Sequence, residues 1–262
     1  MDSAWHISGA SVQGTSHLEK NIPCQDSHAC RLTAAGDLLL AIADGAGTAE
    51  RAQEGAQAAV GQTIAALEAA LHNGVPGDET GWQAVIAGAF SSAYQAVVDM
   101  AGVAQLPLRS FATTLACAVV SGAWLAVGQI GDGAVVAEDE QGGLFLTARP
   151  QRGEYANEAY FLTMPDSLNY LQVYSAPVSL RALALTTDGL LRLAFKLPEY
   201  EPSPQFFGPL LAYIAGMDSP DQARSDLAAF LNSPRVCART DDDKTLVLAA
   251  RILPIQPGQE SQ

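Results

Sequence analysis

Aspartate follows or precedes short apolar runs at four points of this sequence. These acidic side chains could form a reactive site if the fold brings them close together. The apolar run Leu38–Ala43 leads directly into Asp44-Gly45. A short apolar run that stops at a turn signal is typical of a buried strand. The other three units are Ala126–Ile130 before Gly131-Asp132-Gly133, Leu183–Thr187 before Asp188-Gly189, and Asp241-Asp242-Asp243 before Thr245–Ala250.

Carboxylates delivered to one place by several strands would form a site for hard cations. Like charges at close range raise one another's pKa values and destabilise the fold, and a bound divalent cation removes that repulsion. Oxygen ligands, with neither His nor Cys at these turns, favour Mg²⁺ or Mn²⁺ over Zn²⁺. Two such ions can activate a shared water for attack on phosphorus, and they neutralise the charge of a phosphate.

Each unit also has a plainer interpretation. Asp-Gly is a common turn dipeptide, so any single pair is more readily explained as a hairpin or loop, and the triple aspartate as a solvated loop. Thr113-Thr114 is interpreted as ordinary strand sequence. Three Asp-Gly units together with the triple aspartate favour the metal site.

The elements that must position these aspartates follow from hydrophobic spacing. Two long, alanine-rich helices are predicted. The first runs from an N-cap at Thr48 to His72-Asn73-Gly74, and the second carries on one face Trp82, Ile86, Phe90, Ala93 and Val97. Strands are predicted from residue 110 to 147, and Ala148–Val178 has no clear period and could be a flap over the site. Helices at 206–216 and 218–231 and a strand at 245–251 follow. This order predicts an α+β fold with largely antiparallel sheets covered by helices.

Composition limits the function classes. The 262 residues carry a formal net charge of −14, which argues against binding nucleic acid or an anionic membrane surface. Hydrophobic residues make up 48%, enough for a sizeable core. We see no signal peptide and no apolar run long enough to span a bilayer, and the four cysteines have no C-x-x-C spacing. A cytoplasmic protein is the expectation.

The order of these motifs resembles that of the PPM family of metal-dependent serine/threonine protein phosphatases (protein phosphatase type 2C), most closely its compact bacterial branch. The resemblance runs from about Ile7 to Arg251. The residues that carry it are Gly14-Thr-Ser-His17, Pro23-Cys-Gln-Asp26, Asp44-Gly45, Phe111-Ala-Thr-Thr114, Gly131-Asp132-Gly133, Thr187-Asp188-Gly189 and Asp242-Asp243-Lys244-Thr245.

The resemblance implies a four-layer αββα sandwich of two antiparallel sheets flanked by helix pairs. It also implies roles for single residues. Asp44 would bridge two Mg²⁺ or Mn²⁺ ions, and the Gly45 carbonyl would ligate one of them. Asp188 and Asp242 would complete the protein ligands, Asp132 with Asp188 would mark a third, weaker metal position, and Asp26 would hold a water bound to a metal ion.

The sequence departs from the family pattern where the substrate should bind. The neutral Gln25 stands where the family often has Glu, and the phosphate-binding arginine upstream of it has no obvious match. The candidates to replace that arginine are His17, Lys20 and Arg31. Gly133 stands where the family has serine.

The predicted function is hydrolysis of phosphoserine and phosphothreonine in proteins by a water that bridges two divalent cations. The partner is then a phosphorylated protein, the target of a cognate Ser/Thr kinase. Two alternatives stay open: a catalytically weak or inactive regulatory or phospho-recognition module on the same fold, and a hydrolase of small phosphorylated molecules. The family domain is expected over residues 1–253, with a disordered tail at 254–262.

Overall fold

The described chain is rich in both strands and helices. A computed structural model of the protein describes residues 5–151 and 159–252. Its strands are β1 (Trp5–Val12), β2 (Ser27–Leu32), β3 (Leu38–Ala43), β4 (Leu115–Ser121), β5 (Trp124–Ile130), β6 (Ala134–Asp139), β7 (Leu144–Leu146), β8 (Gln172–Pro177), β9 (Leu180–Thr186), β10 (Phe195–Lys196), β11 (Glu201–Pro202) and β12 (Lys244–Arg251). Its α-helices are α1 (Thr15–Lys20), α2 (Ala52–His72), α3 (Glu79–Ala104), α4 (Leu191–Ala194), α5 (Pro204–Ala215), α6 (Pro220–Leu231) and α7 (Pro234–Cys237).

The long strands form two five-stranded antiparallel sheets. One sheet has the order β1-β12-β9-β6-β7, and the other has the order β2-β3-β4-β5-β8. Every strand pair recorded in them is antiparallel. The two sheets are named below by their central strands, the β9 sheet and the β4 sheet.

Strand β3 shows how the layers stack. Leu39 and Ala41 pack with α2 and α3 on the outer face of the β4 sheet, because alternate side chains of a strand point to opposite faces. Leu38 and Leu40 belong to a second cluster, between the sheets, with Leu183 and Val247 among its members. A third cluster packs α5 and α6 onto the outer face of the β9 sheet.

These three apolar clusters separate four layers, so the predicted αββα sandwich is confirmed. Every residue of β3 is at most 1% exposed. A strand buried on both faces reads as a continuous apolar run rather than as an alternating one, which is why its sequence is six apolar residues. The predicted tail at 254–262 lies outside the described residues, and the domain limits stay a prediction.

Several predicted boundaries were wrong. Helix α1 lies between β1 and β2, where no helix is predicted from the sequence. Helix α2 begins at Ala52, after Arg51, and not after a cap at Thr48. A 3₁₀ turn over Leu108–Phe111 precedes β4, so the strand begins later than predicted.

Helix α3 corrects the expectation that no segment has the length and composition of a membrane span. Its 26 residues meet that test. Its apolar face has a place in the fold, however, since Trp82, Ile86, Phe90 and Val97 are buried against α2 and the β4 sheet.

Candidate metal centre

The turn after β3 places the Asp44 carboxylate at the edge of the β4 sheet. The Asp44 carbonyl accepts hydrogen bonds from the Thr114 N–H at 2.8 Å and from the Thr113 hydroxyl at 3.1 Å. The Asp44 N–H donates to Thr114 Oγ1 at 2.9 Å, and the Gly45 N–H donates to the Gln25 carbonyl at 3.2 Å. The backbone of this turn is therefore held from both neighbouring strands, which leaves the carboxylate to face the cleft.

The turn after β5 presents Asp132 at the same edge. Gly131 has a φ of +110°, and a Cβ there would lie 2.5 Å from Thr114 Cγ2, so only glycine fits. The Gln129 amide donates to the carbonyls of Gly131 at 3.2 Å and Gly133 at 2.9 Å. The Gly-Asp-Gly turn is thus fixed by close packing and by a buried side chain.

The third carboxylate comes from the other sheet. Asp188 opens the 3₁₀ turn Asp188–Leu190 directly after β9. One ligand oxygen each of Asp44, Asp132 and Asp188 lies within 4.8 Å of the others. The structure thus brings together side chains separated by up to 144 residues in sequence, from residue 44 to residue 188.

Asp242 and Asp243 occupy different environments although they are neighbours. Asp242 is exposed and lines the cleft, but it is not one of the three carboxylates within 4.8 Å of one another. Asp243 is buried, and its oxygens accept from the N–H groups of Gly14 and Gln25, both at 2.6 Å. Asp243 therefore ties the N-terminal loop to the start of β12.

Asp26 is a buried carboxyl beside this group. Its Oδ2 accepts from the Thr187 hydroxyl at 2.7 Å, while its Oδ1 has no hydrogen-bond partner among the described residues. Burial raises the pKa of Asp26 to about 8, the hydrogen bond from Thr187 and the nearby Thr245 hydroxyl oppose that rise, and the charges of Asp243 and Asp188 add to it.

Asp44 has the same electrostatic problem. Burial raises its pKa well above the ordinary value, and the charges of Asp26, Asp188, Asp132 and Asp242 raise it further. A divalent cation would remove this cost, and the side-chain donors here are carboxylate oxygens, which suit Mg²⁺ or Mn²⁺. The three close carboxylates and the unpartnered Oδ1 of Asp26 fit such an ion.

The carboxylates open into a cleft of about 480 Å³. Of the three predicted substrate-binding candidates, His17 lines it. Its Nδ1 lies 3.0 Å from Asp243 Oδ2, at ion-pair distance but without hydrogen-bond geometry. Lys20 is exposed and is not among the residues that line the cleft, and Arg31 lies outside it, paired with Glu68 of α2.

Sequence reasoning missed two features of this cleft. Thr113-Thr114 is interpreted from the sequence as ordinary strand, yet both residues form hydrogen bonds with the backbone of Asp44. A Thr pair before a strand does not by itself indicate which residue it will bond. Arg192 and Arg239 line the cleft as well. Arg192 lies four residues after Asp188, and Arg239 lies three residues before Asp242. This closeness in sequence to predicted metal ligands could have indicated that both arginines lie near the site.

Part of the predicted flap lies beside the cleft. Ala159 and Phe161 line it, and the Leu162 N–H donates to the Thr113 carbonyl at 2.8 Å. Tyr160 stacks on Tyr170, with ring centroids 4.2 Å apart. Residues 152–158 lie outside the described residues, so that the flap stays a prediction.

Comparison with known proteins finds similar proteins over most of the chain. A curated relative, serine/threonine-protein phosphatase 3 of Escherichia coli (strain K12), is 35% identical over 256 residues, which is 94% of this chain and 98% of the relative. A variant of a bacterial serine phosphatase has a similar solved structure, with a TM-score of 0.66 and 14% identity, over 94% of this chain and 97% of that one. PppA, a key regulatory component of T6SS in Pseudomonas aeruginosa, gives a TM-score of 0.62 and 16% identity, over 95% and 98% of the two chains.

The family assignment rests on sequence over most of the chain, and the structural neighbours support the fold. The sequence model described as protein phosphatase 2C matches residues 13–232. Since this match and the 35% identity both span far more than half of the chain, the protein belongs to the protein phosphatase 2C family.

Proposed function

We propose that this protein is a metal-dependent phosphatase that hydrolyses phosphoserine and phosphothreonine in proteins. The observation that carries the proposal is the group of three carboxylates from two sheets, Asp44, Asp132 and Asp188, within 4.8 Å of one another. Family membership and the printed name of the E. coli relative support the choice of reaction.

The site residues fall into two groups, those that would bind the cations and one that would act on the attacking water. Asp44, the Gly45 carbonyl, Asp188 and Asp242 would hold two Mg²⁺ or Mn²⁺ ions, and Asp132 with Asp188 would form a third, weaker position. Such ions, when bound, activate water for attack on phosphorus and neutralise the charge of the phosphate.

Asp26 would act as the base or proton carrier next to these ligands. Its carboxyl is oriented by the Thr187 hydroxyl at 2.7 Å, and its other oxygen has no partner among the described residues. Such a carboxylate would hold a water bound to the ions and would accept a proton from it as the water attacks phosphorus.

The expected partner is a phosphorylated protein made by a Ser/Thr kinase, in the cytoplasm. The cleft is open to solvent and lined by both acidic and basic side chains, which suits an extended phosphorylated segment. The net charge of −14 gives no support to nucleic acid or an anionic membrane as the partner.

The test is phosphate release from phosphoserine and phosphothreonine peptides by the metal-stripped protein after addition of Mn²⁺ or Mg²⁺. We expect turnover only with metal, and we expect Asp44→Asn to abolish it. Metal binding by calorimetry without turnover on any phosphopeptide would instead support a regulatory or phospho-recognition module. Turnover of small phosphate esters but not of phosphopeptides would support a small-molecule hydrolase.

A further inference from the structure

Two arginines lie in the cleft without an assigned role. Arg192 and Arg239 both line it, and both are exposed. Neither is in an ion pair with a carboxylate of the described residues. With His17, they are the side chains able to carry positive charge among the described residues that line the cleft.

The two arginines belong to neighbouring segments that border the cleft. Arg192 lies on α4, which continues the turn that begins at Asp188, and Arg239 lies in the loop that leads to Asp242. These two segments touch, because a Cβ at Gly189 would lie 2.0 Å from the Asp243 carbonyl oxygen. The first segment follows β9 and the second precedes β12, and these two strands are neighbours in the β9 sheet.

The cleft combines acidic and basic side chains. Its described lining includes five carboxylates, those of Asp44, Asp132, Asp188, Asp241 and Asp242, together with His17 and the guanidinium groups of Arg192 and Arg239. The rest of the lining from the Asp44 turn and the flap segment, Gly45, Ala46, Gly47, Ala159 and Phe161, is uncharged. An anion held against cations at the carboxylates would therefore have the two arginines as its permanently charged side-chain partners.

Phosphate is the anion that this arrangement suits. A guanidinium group is planar, permanently charged, and presents paired N–H donors that match two oxygens of a phosphate. We propose that Arg192 and Arg239 are substrate-binding residues that hold the phosphate group of the phosphorylated substrate at the wall of this cleft. The inference rests on the phosphatase function proposed above, and it assigns the phosphate contacts that the sequence predicts for His17, Lys20 or Arg31.

The experiment measures phosphate binding separately from turnover. Inorganic phosphate is titrated by calorimetry into the Mn²⁺-loaded wild type, Arg192→Ala, Arg239→Ala and the double variant, and KM is measured on a phosphoserine peptide. A lost charge-assisted contact should raise the phosphate Kd and the KM roughly tenfold or more for each single variant, and further for the double. Arg192→Lys should recover part of the loss, since it keeps the charge but not the paired donors.

Arg235→Ala is the matched control, because Arg235 is an exposed arginine on α7 that does not line the cleft. It should leave both constants unchanged, and Mn²⁺ binding should be unchanged in every variant. Unchanged phosphate Kd in the double variant, or a wild type that binds no phosphate, would overturn the proposal. A raised KM with unchanged phosphate Kd would also overturn it, because the arginines would then contact the peptide. If the wild type binds phosphate but does not turn over, the proposed function fails while the phosphate site is still tested.

Discussion

At the residue scale, Thr187 links the buried Asp26 to the strand that follows the acidic loop. Its hydroxyl donates to Asp26 Oδ2 at 2.7 Å and accepts from the Thr245 N–H at 3.0 Å. One small side chain thus satisfies a carboxylate and a backbone donor, both buried. Buried polar groups that lose such partners cost free energy, so the position should tolerate only another hydroxyl.

Thr187→Val should therefore lower the free energy of unfolding by about 1–3 kcal/mol, since it leaves the Thr245 N–H and an Asp26 oxygen without their bonds. It should also raise the pKa of Asp26 further, because the Thr187 bond favours the charged form. Urea unfolding measures the first effect. Thr187→Ser keeps the hydroxyl and serves as the control, and an equal loss in both variants would mean that the methyl group, not the hydrogen bonds, is responsible.

At the element scale, helix α2 supports the metal centre through its first turn. A Cβ at Gly55 would lie 2.2 Å from the Phe111 carbonyl oxygen, so the backbones of α2 and of Phe111 approach each other as closely as glycine allows. Phe111 immediately precedes the segment that bonds the Asp44 turn. The position of the α2 N-terminal turn is thereby coupled to the position of the first carboxylate.

The same substitution at two places in α2 should therefore have opposite effects. Gly55→Ala should destabilise the protein by about 1–3 kcal/mol through overpacking against Phe111. Gly61→Ala should stabilise it by up to about 1 kcal/mol, because Gly61 is exposed, lies inside a helix, and leaves open space within 4 Å of where the alanine Cβ would stand. Thermal unfolding of the two variants measures both, and stabilisation by Gly55→Ala would contradict the close approach.

At the scale of the whole molecule, the carboxylates proposed to bind metal ions lower the stability of the folded protein when they are ionised without metal. Asp26 has a pKa of about 8 in the folded protein against 3.8 ordinarily, and the pKa of Asp44 is raised as well. Between these values the folded state holds protons that the unfolded state releases. The stability from Asp26 is therefore present at low pH and is lost as pH rises through about 4 to 8, and Asp44 acts in the same direction.

We accordingly expect the metal-stripped protein to melt at a lower temperature at about pH 8.5 than at about pH 7.5, an interval above the ordinary histidine pKa of about 6.5. His28, whose pKa burial lowers, works in the opposite sense at lower pH. Mn²⁺ should raise the melting temperature and reduce the pH dependence, because it binds the folded, ionised site. Asp44→Asn should be more stable than the wild type without metal and gain less from Mn²⁺.

The control for this series is Asp218→Asn, an exposed aspartate outside the cleft, which should keep the pH dependence of the wild type. A melting temperature of the metal-stripped wild type that rises over the same interval would contradict the raised pKa values of Asp26 and Asp44.

Local patterns in the sequence determined the elements and the aspartate turns of this protein. The apolar run of β3 and the Asp-Gly turn after it are properties of neighbouring residues. The element order predicted an α+β fold, and the family resemblance carried by the motifs predicted the αββα sandwich. Only the tertiary structure decided that Arg192 and Arg239, rather than Arg31 or Lys20, line the cleft, and that Thr113 and Thr114 hold Asp44. The reason is physical: which side chains meet depends on how strands pair and how the two sheets pack, and residues close in sequence contain no record of a contact made some 70 residues away.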